Sequence, residues 1–313
     1  MTFDDVMNAV ADAFRALDDG ASALFDVVRG RGARSDDFFG IKSGIDGSSG
    51  CVGLKAGTYF PRAAERGMPT HTSTVMLFDA HTAEPLALIG ANRLNGVRTA
   101  AANALATRAL AREDAVTLGL IGSGHQAVFE AAAVCKVRPI RRIVFWSPHA
   151  DRAAHFVEAV VARTGLTPQA VERGEVPASS DIIVTVTPSR SPLLSRADIR
   201  EGTHISAMGA DADGKQELEP QLVAAARTFV DVPAQARLIG ECQHAVRLGL
   251  IDGASLDDRT LGRLLNGRVA GRTDARQITL FDSSGMALQD LAVAHLVYRR
   301  ALDRADVARV SLR

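Results

Sequence analysis

The sequence contains little cysteine, no excess of one charge and no long apolar run. Its three cysteines, Cys51, Cys135 and Cys242, are widely separated. This excludes a disulfide framework and gives no metal-ligand spacing, so we expect reduced thiols in the cytoplasm and no metal site. Basic and acidic residues number 36 each, and the zero net charge gives no general attraction to nucleic acid or to an anionic membrane. No apolar stretch reaches the roughly 20 residues of a membrane helix, and the first residues, with Asp4 and Asp5 but no basic segment, are unlike a secretory signal.

The composition of the chain is typical of a globular protein, and its length is typical of two domains. Its 313 residues are 47% hydrophobic and 23% charged, and a typical domain has roughly 100–200 residues. The first part, residues 1–112, predicts an α+β domain of local hairpins. Its expected elements are a helix over 3–17 capped by Thr2, short strands and loops over 18–50, strands over 51–60, 72–78 and 85–89, and a buried helix over 94–112.

From residue 113 the pattern changes to alternating strands and helices, which predicts an α/β fold with a Rossmann-type doubly wound parallel sheet over residues 113–283. The expected strands cover 116–121, 142–146, 181–186, 204–208, 228–232 and 277–281, with helices from 126, over 151–164 and near 220–226. A last long helix is expected over 284–301. The periodicity leaves open whether that helix packs on this domain or on the first.

The glycine turn after the first of these strands is the strongest functional signal. A buried strand runs into a Gly-Ser-Gly turn, and an apolar, alanine-rich helix follows. Gly122 allows the sharp turn, Gly124 lets a pyrophosphate approach the backbone, and small Ala127 permits close packing of the helix on the strand. Free N–H groups at the start of the helix face the anion. The pattern predicts a site for NAD or NADP, which includes His125 and Gln126.

The end of the next strand bears on which nucleotide binds. An acidic residue there would bind the ribose 2′-OH and select NAD, but this strand ends without one. Ser147 can donate to a 2′-phosphate and His149 or Arg152 could neutralise it, so NADP is slightly favoured. Ligands of such sheets bind at the carboxyl ends of strands. We therefore assign Thr185 and Thr187, at the end of the following strand, to the same site.

Four features outside the glycine turn place charge where a reaction could use it. Lys55 lies among apolar residues of a strand, where a buried lysine is unusual unless it is paired or functional. Arg98, at the start of an apolar helix, could clamp a carboxylate, and Arg29 or Arg31 could supply a second cation. Asp211 follows a strand of the nucleotide domain, at the edge where ligands bind. Spacing alone leaves open a structural role for each, as an ion pair or a surface charge.

Seven segments of the chain resemble the ornithine cyclodeaminase/mu-crystallin family, in the family's order and from about residue 38 to residue 301. They are Gly53-Leu-Lys-Ala with Phe60-Pro61, Gly67-Met-Pro-Thr-His-Thr-Ser-Thr-Val-Met-Leu-Phe-Asp79, Glu84-Pro-Leu-Ala-Leu88, Val97-Arg-Thr-Ala-Ala101, Leu120-Ile-Gly-Ser-Gly-His-Gln126, Gly209-Ala-Asp-Ala-Asp-Gly-Lys-Gln-Glu-Leu218 and Phe281-Asp-Ser-Ser-Gly-Met-Ala-Leu-Gln-Asp290. The resemblance implies a homodimer. In each subunit, residues 1–112 with the C-terminal helix, residues 284–313, would form a substrate-binding and dimerisation domain, and residues 113–283 a Rossmann domain for a nicotinamide nucleotide.

The same resemblance implies roles in a substrate site. Lys55 corresponds to a lysine that contacts the substrate carboxylate or carbonyl, and Arg98 to a carboxylate-binding arginine. Asp211 corresponds to the acidic residue proposed as general acid and base at the substrate nitrogen, and Thr74 to a threonine near the nicotinamide and the substrate. The candidates for a second substrate arginine are Arg29, Arg31 and Arg34.

One departure from the family concerns the substrate. Cyclodeaminases of this family carry a glutamate just before a Met-Pro pair, upstream of the lysine, where it helps to hold a diamine. The corresponding stretch here, Phe39-Gly-Ile-Lys-Ser43, has no carboxylate and brings Lys42 nearby. A second substrate ammonium would lack its partner and would be repelled by Lys42, unless a shift of the alignment brings Asp36 or Asp37 into reach.

We therefore expect hydride transfer at the Cα–N centre of a small L-amino acid or cyclic ketimine. The enzyme would be a pyrroline- or piperideine-2-carboxylate reductase or a dehydrogenase of the alanine type. Arg98 and Lys55 would fix the carboxylate, and Asp211 would move a proton at the nitrogen. The runner-up is an ornithine cyclodeaminase, which forms proline and ammonia and recycles NAD. A third interpretation is a nucleotide-dependent binder of small ligands, of the mu-crystallin type.

Overall fold

The computed structural model describes residues 1–34, 36–149 and 153–310, and it divides into two compact units. Unit 1 comprises Met1–Arg98 and Met286–Arg313, and unit 2 comprises Thr99–Gly285. The first structural boundary falls inside the helix α2 (Asn92–Leu110), whereas the sequence-based boundary follows that helix.

Hydrogen bonds at the two ends of α2 explain why the boundary divides it. In the first half of the helix, Asn95 and Arg98 bond to partners in unit 1. In the second half, the Asn103 side-chain amide donates to Glu130 Oε2 at 2.7 Å. The Arg138 guanidinium donates to carbonyls at the C-terminal end of the helix, so this half is held by residues of unit 2.

Unit 1 is an α+β unit built on one antiparallel sheet. Besides the first part of α2, its elements are α1 (Phe3–Asp18), β1 (Ala23–Leu24), β2 (Val28–Arg31), β3 (Phe38–Asp46), β4 (Cys51–Tyr59), β5 (His71–Asp79), β6 (Pro85–Gly90) and α10 (Ala287–Ala301). The strand order is β1-β3-β4-β5-β6, and β2 also pairs with β3. The strands predicted over 51–60, 72–78 and 85–89 are confirmed, but residues 18–50 contain the nine-residue strand β3 where only short strands were expected.

The helix α1 begins as its sequence predicts. The Thr2 side chain accepts from the Asp5 N–H, and the Asp5 carboxylate accepts from the Thr2 N–H, which forms a capping box. Val6, Val10 and Phe14 are buried at helical spacing, and α1 packs along α10. The apolar stripe of α1 therefore forms part of the core of unit 1.

Strand pairing divides the side chains of the sheet in unit 1 between two faces. Lys42 on β3, Lys55 on β4 and Val75 on β5 pair directly across the strands, so they share one face, and every second residue along each strand joins them. The helix α10 packs on this face, because a Cβ at Gly53 would lie 2.9 Å from a methyl group of Leu291. We call this side the α10 face and the other side the opposite face.

Unit 2 contains the parallel sheet. Its strands are β7 (Thr117–Ile121), β8 (Arg142–Trp146), β9 (Gln169–Ala170), β10 (Ile182–Thr185), β11 (Arg190–Leu194), β12 (His204–Ala207), β13 (Gln216–Leu218), β14 (Arg227–Val230) and β15 (Thr279–Asp282). Its helices are α3 (His125–Val137), α4 (Ala153–Thr164), α5 (Glu175–Ser179), α6 (Pro220–Ala225), α7 (Pro233–Leu238), α8 (Gln243–Arg247) and α9 (Leu261–Leu265). Seven strands pair in the order β14-β15-β12-β10-β7-β8-β9, all of them parallel, and β11 pairs with β13. The predicted doubly wound parallel sheet is confirmed.

The order of the strands in unit 2 fixes where a ligand can bind. The chain runs outward from β7 through β8 to β9 on one side, and through β10 to β12 on the other. The strand order therefore reverses between β7 and β10, and the carboxyl ends of strands at such a point form the ligand crevice of doubly wound sheets. The central strands β7, β10, β12 and β15 are buried, as expected for a sheet covered on both faces.

The helices of both units are short or carry polar groups. The 19 residues of α2 include Arg93, Arg98 and Arg108, and the 16 residues of α1 include Asp4 and Asp5. Across the described part of the chain, no helix combines the length and the apolar composition needed to cross a membrane.

Candidate active site

Gly122, which follows β7, has the backbone conformation that the turn demands. Its φ is +114°, a value that side chains rarely allow. A Cβ at this position would lie 2.8 Å from the Val186 carbonyl oxygen and 3.2 Å from Thr187 Cγ2. Only glycine therefore permits the chain after β7 to pass this close to the end of β10.

The start of α3 has the geometry that suits an anion. Gly124 is the N-cap residue and contributes no side-chain cap. Nothing lies within 4 Å of where its Cβ would be. The first N–H groups of a 13-residue helix can therefore be approached over a bare backbone, as a pyrophosphate requires. Ala127 is fully buried, which agrees with close packing of α3 on the sheet.

The two other residues predicted in this turn differ in their surroundings. His125 is exposed at the first position of α3, and its ring contacts Phe129 edge-on at 5.0 Å between centroids. The Gln126 amide donates to Glu130 Oε1 at 2.6 Å, and Glu130 is fully buried. The Gln126 side chain is thus bonded to another residue of α3.

The strand β8 ends as the sequence indicates, without a carboxylate. Ser147 follows it, and the Ser147 hydroxyl accepts from the His149 N–H at 3.2 Å. His149 is exposed. Arg152, predicted to meet a 2′-phosphate, lies outside the described residues.

The two threonines assigned to the cofactor site lie around a buried glutamate. The Thr185 hydroxyl donates to Glu217 Oε2 at 2.7 Å, and Thr185 is fully buried, so its side chain is not presented to a ligand as the sequence analysis expected. The Thr187 N–H donates to Glu217 Oε1 at 2.6 Å, which leaves the Thr187 side chain beside Gly122. The Gly209 N–H donates to Glu217 Oε2 at 3.0 Å. Glu217 therefore joins the carboxyl ends of β10 and β12.

Glu217 was not identified from the sequence, although it belongs to one of the segments that carry the family resemblance. Burial raises the pKa of Glu217, and the donated bonds from Thr185, Thr187 and Gly209 oppose that rise. The signal for this residue is a glutamate between two residues that are themselves buried, Gln216 and Leu218, because a buried carboxylate needs several donors.

In unit 1, Lys55 and Arg98 share one buried carboxylate, Asp290 on α10. Lys55 Nζ lies 2.8 Å from Asp290 Oδ2, and Arg98 Nε lies 3.0 Å from Asp290 Oδ1. The side chains of the three residues are 11%, 8% and 1% exposed. Two of the predicted substrate residues are therefore brought together, on a partner that the sequence analysis missed.

Two amides complete this cluster. Asn95 Oδ1 accepts from Lys55 Nζ at 3.0 Å and from Arg98 Nη2 at 2.7 Å. Gln289 Oε1 accepts from Arg98 Nη1 at 2.7 Å. These bonds hold both cations in one orientation.

Burial and the neighbouring charges shift the pKa values of Lys55 and Asp290 in the cluster. Burial, and after it the charge of Arg98, lowers the pKa of Lys55 to about 8. Burial raises the pKa of Asp290, but the charges of Arg98 and Lys55 outweigh burial, so this pKa lies below its ordinary value. Two cations thus share one buried carboxylate.

Besides Asp290 Oδ2, which forms an ion pair with Lys55, two buried polar atoms near these cations have no hydrogen-bond partner among the described residues. They are Ser73 Oγ and Gln289 Nε2. Ser73 pairs with Gly57 across β4 and β5, two residues along each strand from the pair of Lys55 and Val75, so it lies on the α10 face. Nothing lies within 4 Å of where a Cβ of Gly57 would be. An unsatisfied donor beside open space is a feature of ligand sites.

Thr74 and Lys55 lie on opposite faces of the sheet in unit 1. Thr74 pairs with Ala56 and alternates with Ser73 and Val75, so its side chain lies on the opposite face, where it is exposed. Thr74 and Lys55 therefore point to opposite faces within one chain, because neighbouring residues of a strand do so, and the role of Thr74 near the nicotinamide and the substrate stays a prediction.

The candidate arginines lie on β2 or just after it. Arg29 pairs with Gly40 and Arg31 pairs with Phe38, which places both on the same face as Lys42 and Lys55. Arg29 lies opposite Gly40, which is two residues before Lys42 on β3. Arg29 and Arg31 are both exposed. Arg34 lies beyond the strand, in a bend. Of the three candidates for a second substrate arginine, the strand register therefore favours Arg29.

Asp211 lies in unit 2, in the loop after β12. Its carboxylate accepts from Lys215 Nζ at 2.6 Å, and its side chain is 57% exposed. Lys215 Nζ also donates to the Gly209 carbonyl at 3.2 Å. Asp211 is thus an accessible carboxylate on a loop whose base is bonded to Glu217.

Together these features define a two-unit α/β protein with a glycine turn between strand and helix in one unit and a buried cluster of two cations on one carboxylate in the other. A sequence profile of the ornithine cyclodeaminase/mu-crystallin family matches residues 1–305. The chain belongs to this family, as the motifs in its sequence predict.

Known relatives resemble the chain over nearly its full length. The iminosuccinate reductase of Paracoccus denitrificans is 40% identical over 312 residues, which cover 100% of this chain and 96% of that protein. Its crystal structure in complex with NAD⁺ matches with a TM-score of 0.91 and 41% identity, covering 96% of this chain and 92% of that one.

Two further solved structures match as well. An archaeal alanine dehydrogenase dimer with bound NAD has a TM-score of 0.93 at 32% identity, covering 100% of this chain and 95% of that one. The Δ1-pyrroline-2-carboxylate reductase of Thermococcus litoralis, in complex with NADH and L-proline, has a TM-score of 0.93 at 28% identity, covering 99% and 96%. These matches confirm the Rossmann-type fold and its association with nicotinamide nucleotides in the family.

Proposed function

We propose that the protein is an NAD(P)-dependent oxidoreductase that transfers hydride at the Cα–N centre of a small amino or imino acid. The observation that carries the proposal is the buried pair Lys55 and Arg98 on Asp290, in a chain whose other unit contains the glycine turn. The relatives support it, since they are named as an iminosuccinate reductase, an alanine dehydrogenase and a pyrroline-2-carboxylate reductase.

The nucleotide would be held by residues of unit 2. The open backbone at Gly124 and the first N–H groups of α3 would bind the pyrophosphate. Gly122 and Thr187 shape the turn beneath it, with His125 beside it at the start of α3. When bound, the nicotinamide accepts or supplies the hydride.

The substrate carboxylate would be held in unit 1. Arg98 is oriented by Asp290, Asn95 and Gln289, and Lys55 by Asp290 and Asn95. Because each cation is fixed before binding, little orientational freedom remains to be lost when the carboxylate arrives. The substrate Cα is thereby held in one position.

Asp211 would act as the general acid and base at the substrate nitrogen. In the oxidative direction an ammonium must lose a proton before its carbon can release a hydride, and in the reductive direction the imine must be protonated to accept one. The carboxylate of Asp211 can take and return this proton. Lys215, at 2.6 Å, would hold the carboxylate in place between turnovers.

The affinity for a substrate carboxylate is expected to weaken above a pH of about 8. The pKa of Lys55 is lowered to about 8, chiefly by burial, so above that pH the site loses one of its two cations. The inhibition constant of a short, unreactive carboxylic acid, measured from pH 6 to 10, should be flat below pH 8 and rise by up to about tenfold per unit above it. Lys55→Arg should remain flat to pH 10, because arginine stays charged. A wild-type constant that is flat through pH 8 would remove Lys55 from carboxylate binding.

The choice of nucleotide is expected to depend on Ser147. We propose that the absence of a carboxylate after β8 admits the 2′-phosphate of NADP and slightly favours it over NAD. Ser147→Asp would accept a bond from the ribose 2′-OH and repel a 2′-phosphate. The ratio of kcat/KM for NADPH over that for NADH should then fall at least about tenfold from the wild-type ratio. An unchanged ratio would show that Ser147 does not lie near the ribose.

We further propose that the protein is a homodimer that associates through the opposite face of the sheet in unit 1. Val28, Phe39, Ile45 and Leu88 on this face are exposed by 56, 39, 38 and 74% in the single chain, and exposed apolar side chains on one face of a sheet are typical of protein interfaces. Light scattering should give twice the mass of one chain. A monomer at micromolar concentration would contradict the proposal.

The reaction itself is tested by following nucleotide absorbance with a panel of small amino and imino acids. We expect net nucleotide reduction with an amino acid and net oxidation with the matching imine. Proline and ammonia from ornithine without net nucleotide change would identify the cyclodeaminase instead. Nucleotide binding with no turnover of any substrate would leave only a binding protein. No contact among the described residues favours either of these over the oxidoreductase.

A further inference from the structure

One buried carboxylate, that of Glu217 on β13, holds the carboxyl ends of two neighbouring strands of the parallel sheet. Glu217 Oε1 accepts from the Thr187 N–H, just after β10, at 2.6 Å. Glu217 Oε2 accepts from the Gly209 N–H, just after β12, at 3.0 Å, and from the Thr185 hydroxyl at 2.7 Å. Because all three groups donate, the ionised carboxylate satisfies each of them.

The two strand ends that Glu217 joins lie in close contact. A Cβ at Gly209 would lie 2.4 Å from the Thr187 carbonyl oxygen and 2.6 Å from Glu217 Oε1. A Cβ at Gly122 would lie 3.2 Å from Thr187 Cγ2. Thr187 therefore lies between the glycine turn and the end of β12, and a shift of its backbone would disturb both neighbours.

Two further buried carboxylates fix the position of Glu217. The strand β13 has only three residues, but Glu241 accepts from the N–H groups of Glu217 and Leu218 at 2.9 and 2.6 Å. Asp282, at the end of β15, accepts from the N–H groups of Glu241 and Cys242 at 2.9 and 3.0 Å. The Glu217 carboxylate is thus anchored to the parallel sheet, and a polar network that is satisfied in this way rigidifies its surroundings.

The strand ends joined by Glu217 border the place where the nicotinamide half of a dinucleotide would lie. In doubly wound sheets the dinucleotide crosses the crevice where the strand order reverses, with one nucleotide over each half of the sheet. The ribose that bears the 2′-OH belongs to the half with β8, so the nicotinamide belongs to the half with β10 and β12. Gly209 also begins the loop that carries Asp211, and its carbonyl accepts from Lys215 Nζ at 3.2 Å.

We infer that Glu217 is a positioning residue for the nicotinamide end of the nucleotide, because it fixes the backbone at Thr187 and Gly209. This inference rests on the nucleotide site of the proposed function. Glu217 acts through these two backbone segments, to which its oxygens are bonded. The pyrophosphate would bind elsewhere, at Gly124 and the start of α3. Loss of the Glu217 carboxylate should therefore disturb one end of the nucleotide and leave the other in place.

Glu217→Gln tests the inference. The amide has one oxygen and one NH2 group, so in either orientation its NH2 group faces a backbone N–H, that of Thr187 or that of Gly209. We expect the affinity for ADP-ribose, which lacks the nicotinamide, to stay within about twofold of wild type. The affinity for NAD⁺ should fall about tenfold relative to that for ADP-ribose. Turnover of the best substrate of the amino and imino acid panel should fall about 10- to 100-fold, since the reacting carbon is misplaced.

The matched control is Asp181→Asn, at the other end of β10. Asp181 Oδ2 accepts from the N–H groups of Val116 and Thr117, both at 3.0 Å, and the whole of β10 lies between Asp181 and the strand ends that Glu217 holds. This variant should lower the melting temperature, as Glu217→Gln does, but it should leave both affinities and turnover within about twofold of wild type. A merely structural role for Glu217 would make the two variants alike.

The outcomes decide the role of Glu217 separately from the proposed function. The inference is wrong if Glu217→Gln keeps the wild-type ratio of the affinities for NAD⁺ and ADP-ribose, or if Asp181→Asn changes that ratio equally. If Glu217→Gln fails to fold, hydrogen exchange in the wild-type protein decides. The Thr187 and Gly209 amides should exchange as slowly before NAD⁺ is added as after, and rapid exchange at either amide until NAD⁺ binds would mean that the nucleotide orders the strand ends. If wild-type protein binds NAD⁺ but turns over no amino or imino acid, the oxidoreductase function fails, and the ratio of affinities still decides the inference.

Discussion

Asp290→Asn is expected to lower the free energy of unfolding by about 3–5 kcal/mol, the usual cost of removing one partner from a buried ion pair. Lys55 and Arg98 would remain buried without a counter-charge. The loss should depend on pH in a defined direction. The pKa of Lys55 is about 8 in the folded protein, below its ordinary value of 10.5, and loss of the Asp290 charge lowers it further. The Lys55 part of the deficit is therefore full at acid pH and disappears as pH rises through about 8, where this lysine is neutral in both proteins.

The matched control for this prediction is Asp12→Asn. Asp12 forms an ion pair with Arg15 on the surface of α1, at 3.2 Å and with both side chains exposed, so its replacement should cost less than about 1 kcal/mol. Urea unfolding curves at pH 6 and pH 9 measure both variants. An Asp290→Asn protein as stable as the control at pH 6 would mean that the cluster is hydrated and does not hold two buried cations together.

Most of the fold of both units can be predicted from local sequence, and two strands show why this succeeds or fails. The strand β8 was predicted at its observed bounds, residues 142–146, because a short apolar run stands between polar segments. The strand β3 was not, because Gly40, Lys42, Ser43 and Gly44 are typical of a loop. It forms a strand since β4 pairs along its whole length on one side, and β1 and β2 pair on the other. Neighbouring strands, and not its own residues, stabilise it.

The residues of the site were harder to predict from the sequence than the fold, because their contacts join distant parts of the chain. Arg98 and Asp290 are 192 positions apart, and nothing near either residue reveals the other. The faces of Thr74 and Lys55 could not be predicted because the register of β4 and β5 depends on the intervening loop, and a shift of one residue reverses every side chain. Glu217 was missed since its three donors come from two different strand ends. In each case the missing information is tertiary pairing.

Asp211→Asn is expected to lower kcat by about 10²- to 10⁴-fold, the usual contribution of general acid–base catalysis. The amide has nearly the shape of the carboxylate but cannot take or return the proton at the substrate nitrogen. Nucleotide affinity should stay within about twofold of wild type, because the Asp211 carboxylate is bonded to Lys215 of its own loop. Stability should change by less than about 1 kcal/mol, since the pair with Lys215 is more than half exposed on the carboxylate side.

The same loop offers a matched control in Asp213, two positions further along. Asp213 is 75% exposed and pairs with Arg247 at 2.5 Å, so Asp213→Asn removes an equal charge and a comparable ion pair. If proton transfer at Asp211 limits turnover, only Asp211→Asn lowers kcat, and it does so for every substrate that carries nitrogen on Cα. If both variants lose activity equally, the loop needs its ion pairs for shape and Asp211 has no special part in the chemistry. If neither does, the proton on the substrate nitrogen is exchanged by another group, and Asp211 is only the surface partner of Lys215.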